Sequence, residues 1–389
     1  MEDEQLATLI EKVKQAALDL EKDGYAIIPA LFTAEECRQT RERMWAHLSE
    51  ISEGALTPER DYTKMRATEL LPHKHGIIES WRFNHLALIR EIRRDPRIHW
   101  IFALLYGSDQ LTGSMDRVNF KFPGRTYKSI DSWPHVDQHA AKTERISIQS
   151  YVTFLDCNED SPGNRFYAGS HKIFGEFFKE KRNAKTGDWN KLTDKEKISL
   201  PKQCPLVKPT YTEGSMLLWD SRTVHDPDDG TNFKEGRFVV YVCYNKLWEK
   251  AEDEKFWTQK KNAFVECRAT SHSPLPQSMF AKCPRLYDKT EKGRYDEIPK
   301  EKLGLGKEPD EPVGVEALLF GFERYKGKEG KLLGDVDWRK RVGETQLPLL
   351  SFVSPFVSIK EEKKTKVTKQ KRLDECVISA KSNKKCKTQ

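Results

Sequence analysis

His135-Val136-Asp137, then His225 and Arg237, are the residues of this 389-residue chain whose types and spacing could do chemistry. Two histidines and one carboxylate form the facial ligand set of mononuclear non-haem iron oxygenases, which leaves coordination positions open for reaction. In an extended strand residues i and i+2 project from one face, so His135 and Asp137 can reach one metal while Val136 points away. His225 lies 88 residues after Asp137 and supplies the third ligand if its strand packs beside the first. Arg237 follows 12 residues later and suits an acidic co-substrate. Its planar fork offers a carboxylate two parallel charge-assisted hydrogen bonds, and it keeps its proton.

A His-x-Asp triplet by itself means little. In a chain with 10 His and 60 acidic residues, chance supplies about one or two such triplets. The elements around it give it weight. Arg117–Phe122 alternates, Pro123-Gly124 makes a turn, and in Ile146–Leu155 the residues Ile146, Ile148, Val152 and Phe154 alternate with Ser147, Gln149 and Thr153. Gly214–Asp220 leads into His225, and Arg237–Tyr244 is a further apolar run. The pattern predicts a half-buried sheet whose strands flank both ligand groups. Ahead of it, Leu6, Leu9, Ile10, Val13, Ala17 and Leu20 share one face of an amphipathic helix. Thr33 with Glu36 reads as a capping box that starts a second helix to about Ile51, with Met44, Trp45 and Leu48 as its buried stripe.

From about Gly24 to Trp248 the chain resembles the phytanoyl-CoA dioxygenase-like branch of Fe(II)/2-oxoglutarate oxygenases. Three landmarks carry the resemblance: Gly24-Tyr-Ala-Ile-Ile-Pro-Ala-Leu-Phe32 before a helix; Ser161-Pro-Gly-Asn-Arg-Phe-Tyr-Ala-Gly-Ser-His-Lys172, with Ala168 where the family usually has Pro; and the His225 and Arg237 pair. The resemblance implies a mainly β, double-stranded β-helix (jelly-roll or cupin-like) core with flanking helices and helical extensions at both ends. It implies that His135, Asp137 and His225 bind Fe(II), that 2-oxoglutarate chelates the iron, and that Arg237 receives its distal carboxylate. Substrate would be hydroxylated with O2 while 2-oxoglutarate is decarboxylated to succinate. Related halogenases carry Gly or Ala where Asp137 stands, so the carboxylate implies hydroxylation.

The chain departs from the family at Pro227, where a Ser hydroxyl often assists the arginine; Thr231 and Asn232 are the nearby substitutes. Lys121 matches a family lysine that approaches 2-oxoglutarate, its alternative being an outward-facing strand residue, and Arg222 is a competing anion partner. His73 and His75 fall in a polar loop and His139 falls outside the alternation, so none is expected to ligate a metal. His171 is expected to make a structural hydrogen bond.

Composition frames these residues. At 37% hydrophobic and 33% charged, with no apolar run near the roughly 20 residues of a membrane span, the chain is expected to be soluble and intracellular, cytoplasmic or nuclear. Its eight cysteines, without a Cys-x-x-Cys pair, are expected to be free thiols. The organisation expected is an oxygenase core over 1–250, an extension over 251–357 packed on it by Trp257, Phe280, Tyr287, Phe320, Phe322 and Trp338, and a disordered tail over 358–389. From Ser358 onward the tail holds 11 Lys+Arg against 4 Asp+Glu, the whole net charge of +7. Such a tail could be a nuclear signal, a weak nucleic-acid contact or a solubilising segment. The polar insertion Ile173–Thr212 is expected either at the substrate mouth or as a solvated loop. The prime substrate, small molecule or macromolecule, is left open. A catalytically inactive jelly-roll binding protein, a nucleic-acid- or protein-modifying oxygenase guided by the tail, and a Zn or Mn cupin-like hydrolase or isomerase are the other readings.

Overall fold

The structure, a computed structural model, describes residues 1–65, 73–74, 76–78, 81–125, 133–184, 187–231, 236–248, 253–276, 278–282, 296–299, 309–325, 338–342 and 346–352. His75, Asn232, Tyr287 and the basic tail lie outside the described residues.

Helix α1 (Asp3–Asp23) buries the stripe read from its periodicity, from Leu6 through Leu20, and stops at Gly24, whose φ of +82° is the left-handed cap. The stop is tight, because a Cβ on Gly24 would lie 2.4 Å from Thr223 Oγ1. Strand β1 (Tyr25–Ile28) follows, then α2 (Ala34–Ile51), where Thr33 and Glu36 exchange both bonds of a capping box. Helices α3 (Ala87–Arg93) and α4 (Pro96–Tyr106) complete the first helical layer.

Among the described residues fourteen strands follow in order: besides β1 they are β2 (His73–Lys74), β3 (Ile77–Ile78), β4 (Leu111–Gly113), β5 (Val118–Lys121), β6 (His135–Val136), β7 (Ile148–Thr153), β8 (Gly163–Tyr167), β9 (Asn190–Lys191), β10 (Leu206–Val207), β11 (Met216–Asp220), β12 (His225–Asp228), β13 (Arg237–Tyr241) and β14 (Tyr244–Lys246). They form a seven-stranded sheet, β1-β11-β7-β13-β5-β3-β2, a five-stranded sheet, β10-β8-β12-β6-β9, and the pair β14-β4, with antiparallel pairing throughout. His73 thus sits in a short strand, where a loop was expected.

The seven-stranded sheet is covered on both faces. Ile148, Val152, Met216, Leu218, Phe238 and Val240 join the helices in one apolar cluster. The alternate residues Tyr151, Leu217, Trp219 and Val239 meet Phe166 of the five-stranded sheet in a second. All six residues of β7 are buried, so the expected half-buried strand is a two-sided one. Its alternating Gln149 and Thr153, which local alternation assigns to solvent, are buried: Gln149 reaches Asp137 and Thr153 bonds the Leu155 carbonyl. Each fully buried aliphatic or aromatic side chain contributes roughly 1.5–3 kcal/mol relative to exposure.

Helices α5 (Ser170–Phe177) and α6 (Asp194–Ser199) lie between β8 and β10, and beyond β14 come α7 (Glu254–Val265), α8 (Val315–Phe320) and α9 (Trp338–Arg341). Trp338 packs edge-on against Trp100, and Arg90 holds the Glu316 carboxylate with two bonds of 2.7 Å. Phe280, expected in the packing, is 47% exposed instead. Among the described residues no helix is long and apolar enough to cross a membrane.

Candidate metal centre and co-substrate site

Strands β6 and β12 lie side by side with His135 opposite His225 in register, and their rings stand 4.4 Å apart. Strand β6 ends at Val136, so Asp137 enters from the bend just after it; its amide donates to the Ser221 carbonyl at 3.1 Å. Asp137 Oδ2 is 3.3 Å from His225 Nε2 and 3.9 Å from His135 Nε2. All three side chains are buried, and their ligand atoms lie within 4.8 Å of one another.

Each imidazole is aimed by its other nitrogen. His135 Nδ1 donates to the Trp133 carbonyl at 3.2 Å and His225 Nδ1 to the Thr223 carbonyl at 2.9 Å. That tautomer leaves each Nε2 with a lone pair toward the centre, the second-sphere arrangement typical of metal-binding histidine. Trp133 stacks on His135 at 4.4 Å, and Phe166 and Trp219 flank His225. Burial pushes His135 down to about 3, so it is neutral at pH 7. Burial opposes charge on Asp137 too, but the imidazoles of His272 and His135 outweigh it and hold the carboxyl well below its usual range. A neutral His135 and an ionised Asp137 are the states a metal requires, whereas at His225 burial is outweighed by Asp137, which raises the imidazole, whose proton metal binding would displace. The donor set therefore fits a divalent iron.

Arg237 opens β13 opposite Lys121 of β5. The preceding Gly236 has φ +76°, and a Cβ there would lie 2.2 Å from the Lys121 carbonyl oxygen. Arg237 is 4% exposed; Nη2 donates to Asn164 Oδ1 at 2.8 Å, the guanidinium sits 5.1 Å from the Tyr151 ring, and among the described residues Nε has no hydrogen-bond partner. No carboxylate among the described residues pairs with it. Burying a cation without an anion is costly, so the arrangement fits a carboxylate from outside the chain.

Asn164 lies opposite Pro227, two residues along β12 from His225. Its Oδ1, accepting from Arg237, places a polar contact at the register position of Pro227. Thr231, one expected substitute, is instead tied to Asp160 at 2.7 Å. Lys121 does not face outward; it is 2% exposed and pairs with Asp229 at 2.6 Å. Burial lowers its ammonium to about 8, with Asp229 opposing and Arg237 reinforcing the shift. Arg222 is no rival for the anion, since it is bound to Asp220 and the Thr143 carbonyl. His139 is held by Ala184 and Ala141, and His171 bonds the Glu21 carbonyl at 3.2 Å.

The sequence reading passed over three neighbours of the triad. Gln149 donates to Asp137 Oδ2 at 3.1 Å, and His272 Nε2 stands 3.6 Å from Asp137 Oδ1. Trp189, 47% exposed, lies 5.9 Å from His135. The insertion is therefore not merely a solvated loop: β9 pairs with β6 and brings Trp189 to His135. Gln149 could have been found by its place two positions before Tyr151 on the inward parity; nothing local marked His272.

The profile of the phytanoyl-CoA dioxygenase family, PhyH, matches residues 20–228, more than half the chain. The chain belongs to this oxygenase family. Among curated relatives, Ava biosynthesis cluster protein O of Aspergillus versicolor is 26% identical over 202 residues, 49% of this chain and 64% of the relative. The chain thus spans less than two thirds of that protein's length. The ectoine dioxygenase of Stutzerimonas stutzeri (strain A1501) is 24% identical over 276 residues, 66% of this chain and 83% of the relative. A solved structure of EctD from S. alaskensis with 2-oxoglutarate and 5-hydroxyectoine aligns at 16% identity and a TM-score of 0.41, covering 60% of this chain and 76% of that one. The family match ends at the last residue of β12, so Arg237 and all later site neighbours lie outside it.

Proposed function

We propose that this protein is an Fe(II)- and 2-oxoglutarate-dependent dioxygenase that hydroxylates a small molecule, built on a double-stranded β-helix core over 1–250 with the 251–357 segment packed against it. The observation that carries the reading is a buried His135/Asp137/His225 cluster in the same inter-sheet space as a buried Arg237 that lacks a carboxylate partner among the described residues. His225 and the Pro227–Asn164 pair, where Arg237 is anchored, are two strand residues apart, about 7 Å. That spacing suits a short dicarboxylic acid chelating metal at one end and salt-bridged at the other.

In this reading His135, Asp137 and His225 hold the iron, and Arg237 with Asn164 receives the distal carboxylate of 2-oxoglutarate. Lys121 adds positive potential beside it. Bound iron with 2-oxoglutarate and O2 supplies the oxidation, with succinate and CO2 formed from the co-substrate. The chain's own share is orientation and exclusion of water: the Trp133 and Thr223 carbonyls fix the two rings, and Phe166, Trp219 and Tyr151 wall the site. The small-molecule class is supported by the ectoine dioxygenase relative, named for such a substrate.

The test is anaerobic addition of Fe(II) and 2-oxoglutarate to the purified protein, reading the visible charge-transfer band of a chelated 2-oxo acid. The band should appear, and His135→Ala should abolish it. Arg237→Ala should retain it but need about 30-fold more 2-oxoglutarate, since truncating one partner of a buried charge pair costs roughly 2 kcal/mol or more. No band in folded, iron-loaded protein would move the reading to an inactive jelly-roll binder.

A further inference from the structure

The Asp137 carboxylate has two oxygens in different surroundings. Oδ2 faces both triad imidazoles and takes the Gln149 amide. Oδ1 points away from them, and its polar neighbour among the described residues is His272 Nε2 at 3.6 Å. A buried ionised carboxylate needs donors on both oxygens. The side chain of Asp137 is 7% exposed, so bulk water does not meet that need freely. His272 is in turn uncommitted: among the described residues neither of its ring nitrogens makes a hydrogen bond.

The segment that carries His272 is anchored to the sheet independently of the metal centre. Thr270 donates its amide to the Met115 carbonyl at 2.9 Å, Thr270 and Ala281 form a β-bridge, and Lys282 reaches Asp116 at 3.4 Å. Ser278 donates to Asp188, the residue before Trp189. The loop is held from three sides, and His272 is delivered to Asp137 by that scaffold. The loop itself, unlike its anchors Met115, Asp116 and Asp188, lies beyond residue 228, where the family match ends.

Resting on the dioxygenase reading above, we propose that His272 is a positioning residue of the metal centre. Its Nε2–H closes onto Asp137 Oδ1 and keeps Oδ2 turned to the metal as a single-oxygen ligand, so the segment after the family core completes the iron site. Neutral imidazole is sufficient for this, and the closure needed is a few tenths of an ångström, from 3.6 Å to ordinary hydrogen-bond length. Loss of a partner of this kind typically weakens metal binding by about 10–100-fold.

The experiment uses the full chain and Co(II), which reports binding through its visible absorption without turnover. His272→Ala should weaken Co(II) by about tenfold or more while the metal-free melting temperature stays at the wild-type value. His272→Gln, which keeps a donor at similar reach, should recover most of the affinity. Equal Co(II) affinity and spectrum in wild type and His272→Ala, or Gln no better than Ala, would overturn the positioning role alone. Wild-type protein that binds Co(II) no better than His135→Ala would overturn the dioxygenase reading on which it rests.

Discussion

Arg237 and Lys121 face each other across one strand pair, yet they differ in what they commit to. Among the described residues Arg237 leaves a buried Nε–H without a partner, whereas Lys121 is already paired with Asp229. Arginine stays charged at any working pH, but burial brings Lys121 to about 8. Above that value the ammonium loses its proton and positive potential beside Arg237 falls. The KM for 2-oxoglutarate should therefore be flat below pH 8 and rise above it, and Lys121→Met should raise the KM at neutral pH and flatten the profile. A wild-type KM unchanged from pH 7 to pH 9 would remove Lys121 from the anion site. At this scale the candidate cluster of His135, Asp137 and His225 and the buried Arg237 were legible, because residue type and order mark them. Asn164 was not, because its role exists only through its register with Pro227.

At the scale of elements, the buried stripe of α1 and the start and end of α2 were readable, since apolar periodicity and the Thr33/Glu36 box are local signals, although Trp45 of the expected α2 stripe is only partly buried. The strands were readable in place but not in burial, because sheet-on-sheet packing hides polar residues such as Gln149 that local alternation assigns to solvent. Strand β13 shows how an element sets chemistry. Gly236 permits the left-handed turn that starts β13 against the Lys121 carbonyl. Gly236→Ala should destabilise the fold by about 1–3 kcal/mol and also raise the KM for 2-oxoglutarate by displacing Arg237. Denaturant unfolding and the KM check the two effects separately; a destabilised variant with unchanged KM would mean that β13 keeps its register without the glycine.

Across the whole molecule, burial decides the response to acid. His99 is fully enclosed, with Nε2 bonded to the Asp109 carbonyl and Nδ1 unpartnered, and burial lowers it to about 4; His85 is lowered to about 3 in the same way. Unfolded histidine titrates near 6.5, so between that value and about 4 the unfolded chain binds more protons than the folded one. Stability is thus whole above about pH 6.5 and falls as pH drops toward 4. Urea midpoints at pH 7 and pH 5 measure this, and His99→Gln should reduce the difference; an unchanged difference would assign acid lability to other groups. The sequence by itself offered the donor types of the candidate site, the first two helices, the Thr33/Glu36 capping box, the strands flanking the candidate residues and the family, because each is written in local spacing or in the linear order of motifs. Only the tertiary structure decided that Asn164 serves Arg237, that Trp189 reaches His135, and that His272, 135 residues after Asp137, stands beside its carboxylate. Those contacts join segments far apart in the chain, and their distances are set by sheet register and packing, which no local pattern encodes.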